Sequence, residues 1–457
     1  MRRFGWVGVL LVVLMIAAGC GSGKKVGGEI TPGSTTPTTT DACKTTQLTA
    51  SEVGVSPTTI TVTVIADTGS PIRPGVFQGS VDAVEAWAKY VNANGGLACR
   101  QVVVKAADSK LSGDDARNSI TTACGDSLAL VGTTALFLDN MQPAETCKDK
   151  TGKPAGIADL AVLQTYAVQQ CSPISFPMLS SGAGCPYNDE GERTFKISNV
   201  TTNYYKQKYG EGTLHGVYLV PNDLPSTIAA TTPLFALDVH EGIKMDAEFG
   251  VSALATQSAY TPYVQSIKTH KSTFARHGSD YASNVFFRKE AQAQGVSTVK
   301  VWDCSIQCYD KRLITEGGSA VEGHYAWISF LPFEDQGHND ELDAFLQYDK
   351  KPDGFGAQAW VAGEVFAAAV KSIVAESGPN GITRSSLLTA IRGLHDFDAN
   401  GFIAPTDIGG KVGSKCLIGM QVQNGKFVRV DPVEPGKFDC TGTVVDITLD
   451  PVKAYKG

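Results

Sequence analysis

The apolar positions change period twice between residues 57 and 108. Ile60 to Ala66 is a short β-branched run that ends in Asp67-Thr68-Gly69-Ser70-Pro71, a turn composition. It predicts a buried strand followed by a loop. Val81, Val84, Trp87 and Val91 then recur every three or four residues and so share one helical face. Asn94-Gly95-Gly96 stops that helix with residues that accept positive φ. Val102 to Val104 starts a second buried strand. Strand, loop, helix, strand is the βαβ unit of a parallel sheet, crossing right-handed. In such sheets ligands bind beyond the carboxyl ends of the strands, which makes the loop from Ala66 to Gly75 the first candidate site. It has no G-x-G-x-x-G, and no Gly-rich turn leads into the helix, so no dinucleotide cofactor is expected.

The alternation continues. Asp114 to Cys124 reads as a helix and Leu128 to Val131 as a strand ending in Gly132-Thr133-Thr134-Ala135. Asn140 to Lys148 reads as helical, and Phe176 to Ser180 as the next strand, ending in Ser181-Gly182-Ala183-Gly184. Loops of small and hydroxyl residues expose backbone N–H groups and hydroxyls that hold a carboxylate or polar head group. One such loop is an ordinary tight turn; three at one sheet edge point to a site. Arg193 to Ile197 is an extended crossover into a second lobe that repeats the pattern. Its strands are placed at Leu214 to Val220, Ile243 to Ser252, Ser272 to Arg276 and Thr298 to Trp302. Its helices are Thr227 to Val239, Pro262 to Thr269 and Ala282 to Gln294. Val321 to Phe330 reads as an extended return to the first lobe, with helices at Asn339 to Tyr348, Gly356 to Glu376 and Arg384 to Arg392. Asn424-Gly425 signals a hairpin within Cys416 to Asp431. The fold class is α/β, two doubly wound parallel-sheet lobes joined by multiple crossovers.

Composition adds a location. Arg2 and Arg3 precede an apolar run from Trp6 to Ala18, too short for a membrane span, followed by Gly19-Cys20. This resembles a bacterial lipoprotein signal, with Cys20 as the lipidated first residue; Ala17 stands where Leu is commoner. The Arg pair also hints at twin-arginine export, but the residues flanking it do not fit, which favours general secretion. Gly21 to Asp41, rich in Gly, Thr and Pro, cannot bury enough to fold and reads as a tether. A net charge of −7 without a basic block excludes a nucleic-acid partner.

Of 11 cysteines, ten remain after Cys20, an even set that in an exported chain reads as disulfides. Expected order along the chain suggests Cys99 with Cys124, Cys147 with Cys171, Cys304 with Cys308 and Cys416 with Cys440, leaving Cys43 with Cys185.

Two α/β lobes joined by several crossovers resemble the type I periplasmic binding proteins, and within them the branched-chain amino-acid (Leu/Ile/Val) binding lipoproteins of ABC importers. The resemblance rests on the opening stretch through Asn92-Ala93-Asn94-Gly95-Gly96, the Leu130-Val131-Gly132 strand end and the Ser180 to Ala183 turn. The Ala320-Val321-Glu322-Gly323 return strand and the Phe397-Asp398-Ala399-Asn400-Gly401 turn extend it to about residues 57 to 431. It implies a cleft that closes on one small polar solute, an ABC permease as partner, a lipid anchor in the membrane, a monomer and no chemistry on the solute. It also implies lobe 1 from residues 57–195 with 336–400 and lobe 2 from 196–335 with 401–457, after a signal peptide at 1–20 and a tether at 21–56.

Carried onto this chain, the family's first-lobe contacts fall in the loops after the first, third and fourth strands. These are Arg73 to Phe77, Thr133, Thr134 and Ala135 to Leu136, and Ser181 to Ala183. Second-lobe contacts fall at Asp280, Tyr281 and Ser305, and an aromatic contact at Phe355 or Trp360. Asp280 is the carboxylate for a ligand ammonium, whereas Arg73 would hold a ligand carboxylate. Ala183-Gly184 replaces an Ala-Thr common in the family and loses one head-group hydroxyl.

The turn Asp396 to Gly401, with Asp407 at the twelfth position, has the spacing of a calcium loop. Pro405 and Gly409-Gly410 do not open the helix that should follow, so no metal is assigned. Tyr204-Tyr205 suits either the cleft or the core. No nucleophile and base converge in any motif, so no enzyme is expected. A ligand sensor on the same fold is the second reading.

Overall fold

The computed structural model describes residues 46–69, 74–180, 182–185, 191–223 and 225–457. The opening unit forms as the apolar pattern dictates: β1 (Thr59–Ala66), α1 (Gln78–Ala93) and β2 (Gln101–Asp108), with Ile60 paired to Val102 in parallel register. Gly95 and Gly96 end α1 at φ 99° and 80°. Then come α2 (Gly113–Asp126), β3 (Ala129–Thr133), α3 (Gln142–Glu145), β4 (Ala158–Leu163), α4 (Ala167–Cys171) and β5 (Ser175–Leu179). The strands make one parallel sheet in the order β2-β1-β3-β4-β5. Strands such as β3, buried at every residue, are those of a sheet covered on both faces.

Two sequence expectations change here. The helix at Asn140 to Lys148 is only the four residues of α3. The strand β4 stands between β3 and β5, so Phe176 to Ser180 is the fifth strand of the sheet, not the fourth. The β4 sequence ADLAVL holds Asp159 at a fully buried position. Its carboxylate accepts bonds from Ser175 Oγ at 2.6 Å and Gln169 Nε2 at 3.2 Å, and an aspartate is a poor strand residue without such partners.

The chain leaves the first lobe through β6 (Arg193–Ser198) and α5 (Val200–Tyr209). The second lobe contains β7 (His215–Pro221), α6 (Pro225–His240), β8 (Lys244–Val251), α7 (Thr261–His270) and β9 (Phe274–His277). It continues through α8 (Tyr281–Ala293), β10 (Val301–Cys304), α9 (Lys311–Gly317) and β11 (His324–Ile328). After α10 (Asp340–Tyr348), α11 (Gly354–Ser377) and α12 (Arg384–Arg392) come β12 (Ile418–Gln423), β13 (Lys426–Asp431), β14 (Val444–Leu449) and α13 (Pro451–Ala454). The second sheet runs β13-β12-β11-β10-β9-β7-β8, parallel from β8 to β11 and closed by the antiparallel hairpin β12–β13. The return segment expected at Val321 to Phe330 is thus β11, an interior strand of this sheet.

The helix α11 packs on α1 and on β3, β4 and β5. It is long and apolar enough to cross a membrane, but 78% of its most apolar stretch is buried within the molecule, as befits a core helix. β6 and β14 pair antiparallel, with Phe195 opposite Ile447, as a two-stranded ribbon apart from both sheets.

Four disulfides are described: Cys124–Cys147, Cys171–Cys185, Cys304–Cys308 and Cys416–Cys440. The last two match the expected pairs. Cys99 with Cys124, Cys147 with Cys171, and Cys43 with Cys185 are corrected. Cys124 and Cys147 each precede one of the neighbouring strands β3 and β4, whose adjacency went unseen with β4 itself. That leaves Cys171 to meet Cys185 on the segment leading to β6, where Arg193 also donates to Gln170. Cys99 is disulfide-bonded; Cys20 and Cys43 lie outside the described residues.

Candidate functional site

The carboxyl edges of the two sheets face a common cavity of about 470 Å3. On the first-lobe side, one buried carboxylate organises the strand-end loops. Asp67, just beyond β1, accepts from Ser109 Oγ (2.7 Å), Leu111 N (2.7 Å) and Leu136 N (2.8 Å), joining the loops after β1, β2 and β3. Burial raises the Asp67 pKa, and these three donors oppose the shift. Gly132, at φ 81°, turns the chain out of β3 where a Cβ would strike the Val84 side chain. What these loops turn toward the cavity is Phe77, Leu136, Leu163 and Leu179, with Gln164, Thr165 and Ser180 between them. Thr165 donates to Leu136 O at 3.0 Å, Gln164 to Ser175 Oγ at 2.7 Å and Ser180 to Lys411 O at 2.8 Å.

On the second-lobe side, α6 contributes Pro233, Leu234 and Leu237, β11 contributes Trp327, and the ends of β9 and β10 contribute Arg276 and Asp303. Arg276 bonds Asp238 at 2.7 Å and Asp303 at 2.6 Å. Tyr205 donates to Asp303 at 2.8 Å and accepts from Trp327 Nε1 at 2.8 Å. Tyr205 is therefore a core residue behind the wall. Burial pushes Asp238 up to about 7 although Arg276 opposes it, and burial raises Asp303 likewise. Burial also disfavours the Arg276 charge, but the two carboxylates outweigh it and hold the guanidinium ionised. The arginine in this wall is already neutralised.

The predicted site residues divide. Asp280, Ser305 and Phe355 line the cavity. Asp280 also caps α8, accepting from Ser283 N at 3.0 Å, and Ser305 donates to Gln307 at 2.6 Å. Tyr281 lines an adjoining recess of about 50 Å3, where the Arg312 guanidinium lies 4.4 Å from its ring centre. Thr133, Thr134 and Ala135 are fully buried and do not line the cavity, because the chain reaches it one residue later, at Leu136. Ala183 also stays off the wall, bridging to Phe195. Of the two candidate aromatics, Phe355 is on the wall. Trp360 is enclosed in the first lobe, donating to Glu341 at 2.6 Å. Arg73 and Ser181 lie outside the described residues.

Sequence reading missed Gln164 and Thr165 because β4 was missed. It missed Leu234 and Leu237 because the helix at Thr227 to Val239 was placed without assigning a face to the cavity; its unbroken apolarity through Pro233-Leu234-Phe235-Ala236-Leu237 was the available signal. Among the described residues, the only His/Cys/Asp/Glu group tight enough for a metal is Cys304, Cys308 and His324. Its two sulfurs are joined in a disulfide and offer no thiolate. The calcium-like turn instead commits Asp407 to His395 Nδ1 (2.6 Å) and Gly410 N (2.7 Å).

Residues 199–426 match the periplasmic binding protein family. A search of curated protein sequences returns no match. Among solved structures, an ABC transporter substrate-binding protein from Aeropyrum pernix is 13% identical with a TM-score of 0.66, over 87% of this chain and 99% of that one. A fatty acid ABC transporter substrate-binding protein from Thermomonospora curvata is 14% identical with a TM-score of 0.63, over 88% and 96%. A leucine-binding protein from Thermotoga maritima is 14% identical with a TM-score of 0.60, over 82% and 97%. At these identities the likeness is one of fold.

Proposed function

We propose that this chain, which has the type I periplasmic binding protein fold, captures a small-molecule solute between its lobes outside the cytoplasm and presents it to an ABC permease. The observation that carries this is the cavity: the carboxyl ends of two separate parallel sheets converge on one space, the position at which α/β sheets bind ligands. A solute held there touches both lobes only when they approach, so binding shifts the population toward the closed form. The sequence before residue 46 supports a lipid anchor at Cys20 and a tether holding the protein near the membrane. The named ligands of fold relatives include leucine and a fatty acid, so fold leaves the solute class open.

A thermal-shift screen of the oxidised protein tests the reading. The panel holds amino acids, amides, sugars, carboxylates and aliphatic compounds. A solute at 100 times its Kd adds about 2.7 kcal/mol of stability. Failure of every class, with the protein shown folded, overturns it. The Cys20→Ala variant is expected to leave the membrane fraction without losing solute binding.

A further inference from the structure

Resting on the solute-binding reading, we infer that the solute is an amphiphile with an aliphatic tail. The cavity takes it by that tail and not by the α-amino and α-carboxylate groups of an amino acid. Three observations converge. Where the strand-end loops of the first lobe meet the cavity, they present Leu136, Leu163 and Leu179, while the hydroxyls of Thr133 and Thr134 are buried behind them. From the second lobe the same cavity is lined by Leu234 and Leu237 of α6 and by Trp327. Apolar side chains of both lobes therefore line one cavity, and closure buries whatever hydrocarbon lies between them.

Second, the deep cation already holds protein partners. Among the described residues, the deep cation of the second-lobe wall is Arg276, and it is shared between Asp238 and Asp303, so a carboxylate brought to it meets two others. The exposed Lys415 lies on the same lining. The polar end of the solute therefore stays outward with solvent and the tail points in. Third, about 470 Å3 falls within the roughly 300–1,000 Å3 of sites for drug-sized ligands, more room than a single leucine needs.

The test is a titration of the oxidised protein, read by calorimetry and by tryptophan fluorescence, with straight-chain carboxylates of increasing length from hexanoate to dodecanoate. Decanol, leucine and isoleucine are run beside them. Each added methylene is expected to tighten Kd roughly fourfold until the cavity is filled, and leucine and isoleucine are expected to give no response. Decanol binding within tenfold of decanoate supports recognition by the tail; decanol failing where decanoate binds overturns it. Leu234→Gln and the milder Phe355→Leu, each shown folded by circular dichroism, are expected to weaken decanoate at least tenfold and severalfold. Binding of leucine or another small polar solute with no dependence on chain length sinks this inference and leaves solute binding standing. No response to any class in the broader screen removes the solute-binding reading and this inference with it.

Discussion

Glu364 carries a charge question inside the first lobe. Its Oε1 accepts from Trp87 Nε1 at 2.9 Å, and it lies near Glu341, which accepts from Trp360 at 2.6 Å and Asn400 at 2.8 Å. Burial first, then the Glu341 charge, pushes Glu364 up to about 7. The folded protein therefore keeps a proton here that the unfolded chain gives up near 4.5, the ordinary glutamate value. Stability from this residue is present at low pH and is lost as pH rises through that window, by about 3 kcal/mol in all. Glu364→Gln keeps an acceptor for Trp87 and removes the charge. Urea unfolding at several pH values between 4.5 and 8 should show the variant with a shallower slope than the wild type, because Asp238 and other raised carboxyls still titrate there, and more stable at pH 8; a slope parallel to that of the wild type would refute the assignment. At this scale the site was half legible. Asp280, Ser305 and Phe355 lie at strand and helix ends, where spacing and family likeness locate them. Thr133 and Thr134 show the limit: a loop's composition locates a sheet edge but not which residue of the turn faces the cavity.

At the scale of elements, strong periodicity was sufficient. The helices α1, α2, α8, α10 and α12 and the strands β1 and β7 stand where the apolar pattern puts them, within a few residues. What failed was an element whose burial depends on partners distant in sequence. β4 was hidden because Asp159 breaks its apolar run, and only Ser175 and Gln169, brought beside it by the fold, make that aspartate acceptable. One missed strand then shifted three disulfide assignments and concealed Gln164 and Thr165. The packing of α11 was hidden likewise: its glycines look like weak points of a helix, yet Gly363 is where the Trp87 indole rests. A Cβ at Gly363 would come within 2.4–2.7 Å of three indole carbons, and with α1 against α11 the ring has little room to retreat. Gly363→Ala should cost about 1–3 kcal/mol through overpacking, although alanine is the better helix former. Denaturant unfolding would show a lower midpoint with an unchanged m-value; a gain in stability would mean the ring has space that the packing does not reveal.

At the scale of the whole molecule, the proposed closure would pass through the segments that join the lobes, and two disulfides bear on one of them. Cys185 precedes β6 and is tied back to Cys171 at the end of α4; Cys440 precedes β14 and is tied back to Cys416 just before β12. Each strand of the β6–β14 ribbon is therefore anchored to a different sheet's surroundings, and the six residue pairs between the strands couple the two anchors. Cys416 and Cys440 lie 24 residues apart, so on the loop-entropy account the crosslink contributes roughly 3 kcal/mol by restricting the unfolded chain. Replacing both with serine should lower stability by about that amount and leave both sheets intact by far-ultraviolet dichroism. The freed ribbon should also admit more open arrangements, so the apparent solute affinity should fall in proportion to the loss of binding-competent molecules. Cys304 and Cys308 are only four residues apart, and Cys304 lies on the cavity wall. Replacing that pair should lower stability less and disturb affinity through direct contact. Comparing the two double variants by calorimetry and urea unfolding separates the roles: a Cys416/Cys440 variant that loses stability but binds as tightly as the wild type would show that the ribbon takes no part in closure.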